Sequence, residues 1–133
     1  MAYQSEKEIF EIVRGFENGT IQRENWRHAE HLTVACYYAL HHDFETALAK
    51  MRDGIFNLLN AFQIDLSKEM PYHETLTVFW MRTIFDAKEN QTSLLEFADR
   101  VLEIGDKNLP LRFYSRELLF SDQARKHFVE GDL

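Results

Sequence analysis

The sequence predicts an all-α domain, a compact bundle of five or six helices covering residues 1–133 as one unit. Two observations carry this reading: apolar residues recur at three- and four-residue spacing along most of the chain, and five Gly with two Pro leave few of the breaks that many short strands would require. Eleven Phe and two Trp supply core material, so a 133-residue chain can bury roughly two-thirds of its unfolded surface in one core. No internal repeat, linker or low-complexity segment divides it.

The first helix is expected from about Ser5 to Asn18. Ser5 and Glu8 have capping-box spacing, Ile9, Phe10, Ile12, Val13 and Phe16 follow at helical period, and Asn18-Gly19 supplies a stop. A short connection from Thr20 to Asn25 leads to a second helix, about Trp26 to His42, whose inward stripe contains His28, His31, Leu32, Ala35 and Ala39. Asp43 is placed to cap a third helix carrying Phe44, Leu48, Met51, Ile55, Leu58 or Leu59, and Phe62, interrupted by Gly54. The stretch from Gln63 to Met70 reads as a loop.

Pro71 suits the first turn of a fourth helix, about Tyr72 to Lys88. From Leu76 to Phe85 that helix is apolar almost all round, which predicts that it is the central one. Thr92 or Ser93 starts a fifth helix that runs through Ile104 to Gly105-Asp106, and Pro110 marks a turn. Leu111-Arg112-Phe113-Tyr114-Ser115 is too short and aromatic to assign as a helix. Ser121 is placed to cap a last helix containing Ala124, Phe128 and Val129.

Charge and composition exclude several partners. A formal charge of −7 without clustered Lys and Arg argues against nucleic acid, because phosphate neutralisation needs such clusters, and it disfavours acidic lipid surfaces for the same reason. Cys36 is the only cysteine, so no intramolecular disulfide and no Cys-based zinc ribbon can form, which fits a reducing compartment. The first residues lack the basic start and apolar stretch of a signal peptide, and no run approaches ~18 apolar residues. A cytoplasmic protein is expected.

The chemistry concentrates in histidines. His28 and His31 lie three apart in Trp26-Arg27-His28-Ala29-Glu30-His31-Leu32, so a helix presents both on one face, and His73-Glu74 opens another apolar helix about forty residues later. A mononuclear site needs several imidazoles or carboxylates within ~2.0–2.2 Å of a zinc ion, and His28, His31 and His73 supply that number. Imidazole-rich sets admit zinc, iron, manganese or nickel. Glu74 would serve as fourth ligand, or as the base for a metal-bound water. The plainer reading is that the histidines bond backbone or carboxylate groups and that Glu74 favours the helix dipole by ~0.3–1 kcal/mol.

Tyr72 and Thr77 add hydroxyls near the same helix start, Thr77 four residues after His73, and either would complete a substrate pocket or bond the helix backbone. Arg112 and Tyr114 form a second polar group, where Arg112 would hold an anionic substrate through paired hydrogen bonds or simply meet one of the chain's 22 acids at the surface. Cys36 reads as small core filling. Paired Glu-x-x-His motifs of a di-iron bundle, a glycine-rich phosphate loop and His-Glu-x-x-His are all missing from the sequence.

The strings Trp26-x-His28-x-x-His31-Leu32-x-x-Ala35, Tyr72-His73-Glu74-Thr75-Leu76-Thr77-x-Phe79-Trp80 and Leu109-Pro110-Leu111-Arg112-Phe113-Tyr114-Ser115 resemble those of a family of small uncharacterised bacterial all-α proteins. The resemblance spans the chain from about Trp26 and implies a one-domain bacterial protein; it implies no activity, cofactor or substrate. Three functions therefore stand at this point. The first is a metal-dependent enzyme for a small polar or anionic molecule, with His28, His31 and His73 as ligands and Glu74 as base. The second is a metal-free domain that binds or senses a small molecule, and the third is a homo-oligomeric interaction module, such as a homodimer.

Overall fold

The computed structural model describes residues 2–88 and 93–133, and all their regular structure is helical. Helix α1 spans Glu6–Asn18 and buries Ile9, Val13 and Phe16. Gly19 ends it at φ 68°, a left-handed conformation that glycine adopts without a Cβ clash. The Ser5 hydroxyl makes no capping bond; Glu8 instead accepts the Gln4 backbone N–H at 3.0 Å.

After a 3₁₀ turn at Arg23–Asn25, helix α2 runs His28–His41, two residues later than its sequence pattern suggests. Arg27 is the reason. Its extended backbone directs its N–H to Glu30 Oε1 at 3.0 Å, and its guanidinium binds the same carboxylate, so Glu30 is buried with its charge paired. Left outside the helix, Trp26 stacks on Phe16 with ring centroids 4.9 Å apart.

Helix α3 (Phe44–Ala61) is capped by Asp43, which accepts the Thr46 N–H at 2.8 Å. Helix α4 spans Glu74–Ala87, and α5 spans Leu94–Ile104 with Ser93 accepting the Glu96 N–H. Thr92, the other residue considered for that start, lies outside the described residues. The central helix is α2, which packs against α1, α3, α4 and α5, and the expectation for α4 is corrected accordingly. Small or slender residues at Thr33, Val34, Ala35, Cys36 and Ala39 let neighbours approach α2 from several sides, whereas α4 leaves Phe79 and Trp80 half-buried and Arg82 exposed.

Gly54, which interrupts the apolar pattern of α3, is a packing notch. A Cβ there would stand 2.3 Å from ring carbons of Phe16, itself wholly buried. Cys36 is likewise wholly buried, and burial pushes its thiol pKa far up.

A 3₁₀ turn at Leu109–Arg112 precedes two short helices, α6 (Arg116–Leu119) and α7 (Asp122–Lys126), capped by Ser115 and Ser121. The periodicity does not foretell α6. Phe128 and Val129, expected inside the last helix, follow its end, because fully buried Thr75 of α4 holds that segment extended: its hydroxyl donates to the His127 carbonyl at 3.0 Å and accepts the Val129 N–H at 3.2 Å. Phe128 then lies 4.3 Å from the Arg82 guanidinium. Among the described residues, no helix is long and apolar enough to cross a membrane.

Candidate functional site

Helices α2, α3 and α4 leave a cavity of about 170 Å³ between them. His28, His31, Leu32 and Ala35 face it from α2, Met51 and Ile55 from α3, and Leu76, Thr77, Trp80 and Met81 from α4, with Tyr72 and His73 at the approach to α4. Five residues singled out in the sequence, His28, His31, Tyr72, His73 and Thr77, thus share one wall. Among the described residues, no Asp, Glu, Lys or Arg lines it.

The three histidines have different chemistry. His73 is the N-cap of α4, which moves the helix start past Tyr72 and leaves Pro71 outside the first turn where the sequence suggests it. Its Nδ1 accepts the Leu76 N–H at 3.2 Å and its Nε2 lies 2.6 Å from the Leu119 carbonyl, which only accepts. One tautomer satisfies both bonds: hydrogen on Nε2, lone pair on Nδ1. Burial lowers the pKa of His73, so the ring sits neutral as a clamp between the start of α4 and α6.

His28 is half committed. Its Nε2 lies 2.7 Å from the Gly105 carbonyl and must carry the hydrogen, so an imidazole with one hydrogen there offers Nδ1 as an acceptor. Its ring meets the edge of Trp80 at 5.0 Å between centroids.

His31 differs from both. Among the described residues its ring has no hydrogen-bond partner, and its one close ring neighbour is Trp26 at 4.5 Å. No fully buried side-chain nitrogen or oxygen among the described residues lacks a partner, so the nitrogens of half-buried His31 reach open space, and His31 is one of the residues that line the cavity. Burial, reinforced by the neighbouring His28 and opposed by Glu30, pushes its pKa down to about 4. The ring is neutral at physiological pH, with one N–H donor and one lone pair.

The remaining candidates stand apart from this wall. Glu74 holds Arg52 through two bonds, Nε to Oε1 at 2.9 Å and Nη2 to Oε2 at 2.6 Å, and accepts the Tyr72 hydroxyl at 2.6 Å. Burial would raise its pKa, but these donors outweigh burial and hold the carboxyl below its ordinary range. Arg112 is exposed. Tyr114 is buried and donates its hydroxyl to the Val129 carbonyl at 2.6 Å. Among the described residues, no three His, Cys, Asp or Glu side chains are grouped so as to hold a metal ion.

The sequence puts Leu32 and Ala35 on the histidine face of α2, but it does not assign the apolar residues of α3 and α4 to the site. Leu76 and Trp80, like Thr77 and Met81, are four apart on α4, and that spacing from His73-Glu74 was the signal that could have found them. No family model matches the chain, and no curated protein or solved structure matches it, so the chemistry rests on these residues themselves.

Proposed function

We propose that this chain is a metal-free domain that binds a small uncharged molecule in the cavity between α2, α3 and α4. The observation that supports it most directly is His31: a half-buried imidazole, with no hydrogen-bond partner among the described residues, on the wall of a largely apolar cavity. Ligand pockets have this composition, apolar walls with a few placed polar groups.

Binding is favoured over proton transfer. A base works best with a pKa near the operating pH, and His31 is held near 4, while the Glu74 carboxylate is occupied by Arg52 and Tyr72. The metal-dependent reading has one observation in its favour, three imidazoles on one wall. It requires His73 to give up one of its two bonds before it can coordinate, most simply the Leu76 N–H that occupies the Nδ1 lone pair.

The experiment is NMR of untagged, ¹⁵N-labelled protein with a panel of neutral, anionic and cationic small molecules, beside thermal melts of chelator-treated protein with zinc, iron(II), manganese and nickel. The proposal expects neutral compounds to shift resonances around His31, Leu76 and Trp80. A metal that raises the melting midpoint, with the rise abolished by His73→Ala, would replace this reading with the metal-dependent one. Silence across the whole panel would refute small-molecule binding.

A further inference from the structure

We propose that the ligand is a neutral aromatic or heteroaromatic compound of about phenol size that donates a hydrogen bond from O–H or N–H; this rests on the binding function proposed above. Size comes first. A cavity of about 170 Å³ is close to the roughly 150 Å³ of an apolar cavity known to hold benzene. Leu32, Ile55, Leu76 and Met81 supply the apolar contacts and Trp80 an aromatic one.

Charge comes second. With no Asp, Glu, Lys or Arg among the described residues of the wall, a carboxylate or an ammonium would be desolvated without a counter-charge. The ligand is neutral on that ground.

The donor and acceptor inventory then sets its polarity. Nearly every donor on the wall is already engaged: His73 Nε2–H on Leu119, His28 Nε2–H on Gly105, the Thr77 hydroxyl on the His73 carbonyl at 3.0 Å, and the Tyr72 hydroxyl on Glu74. Two donors remain, the single N–H of His31 and the indole N–H of Trp80. Lone pairs are in surplus, with Nδ1 of His28, the second nitrogen of His31 and Thr77 Oγ1 all able to accept. A compound that brings a hydrogen reaches these lone pairs, and one that brings only lone pairs or methyl groups leaves them unmet.

The test is a set of near-isosteric probes at about pH 7.5, with dissociation constants from NMR titration. Phenol and aniline should bind about tenfold or more tightly than toluene and anisole, and benzoate should not bind. His31→Leu should narrow the advantage of phenol over toluene severalfold while toluene binding persists, which also shows that the variant folds. Toluene or anisole binding as tightly as phenol, or benzoate binding best, would overturn the donor assignment and leave a small-molecule cavity standing. An unchanged preference for phenol in His31→Leu would overturn the role given to His31. If no probe moves the cavity resonances up to its solubility, both this inference and the binding function fall.

Discussion

Replacing His31 by Leu should remove a pH dependence from the stability of the fold. In the unfolded chain the imidazole titrates near 6.5; in the folded chain its pKa is pushed down to about 4. As pH falls below 6.5 the unfolded state takes up a proton that the folded state refuses, so stability drops until about pH 4, where the folded ring protonates too. Between about pH 7.5 and 5 this amounts to about 2 kcal/mol if the ring is fully desolvated, and nearer 1 kcal/mol if cavity water hydrates it. Urea denaturation of wild type and His31→Leu at both pH values measures it, with the variant losing less stability than wild type by that margin. His73, also lowered by burial, acts in the same direction but equally in both proteins. Glu30 and Glu74 are held below the ordinary carboxylate range and lose their contribution only at lower pH. Equal pH dependence in the two proteins would refute the claim that His31 is desolvated.

Three further outcomes are expected. Glu74→Gln leaves the half-exposed Arg52 without its counter-charge and should cost about 1–2 kcal/mol by chemical denaturation, while phenol affinity stays within about twofold, because the carboxylate does not line the cavity. Gly54→Ala should destabilise by about 1–3 kcal/mol despite the better helix propensity of alanine, since the new methyl meets the Phe16 ring; a gain in melting temperature would show that this ring can move aside. Arg112→Ala should stay within about 0.5 kcal/mol of wild type and bind the probes unchanged, as expected of an exposed residue away from the cavity.

The helical class was readable because the pattern of apolar residues depends only on local geometry. The same geometry placed His28 and His31 on one face of α2, and the apolar run after His73 correctly announced a helix there. What the pattern does not contain is the partner of each polar atom. His73 reads in sequence as a ligand beside an acid, and only the meeting of its ring with the Leu119 carbonyl, forty-six residues away, shows it clamped. Glu74 is similar, because Arg52 reaches it from another helix. The centre of the bundle was misassigned for a related reason: large apolar residues mark a helix as greasy, but small ones decide how many helices can crowd around it, as they do around α2.

The lone thiol of Cys36 gives the protein a built-in clock. It is wholly buried in the helix that touches four others, and burial suppresses its ionisation, so an alkylating or disulfide-exchange reagent reaches it only when the bundle opens. Its labelling rate, divided by that of an unstructured thiol, then reads the opening equilibrium under native conditions, with no denaturant and no attached dye. A molecule held between α2, α3 and α4 slows that rate by one plus the ratio of its free concentration to its dissociation constant, about a hundredfold at a hundred times that constant. An unlabelled chain thus reports its own ligand by the time its one sulfur takes to react.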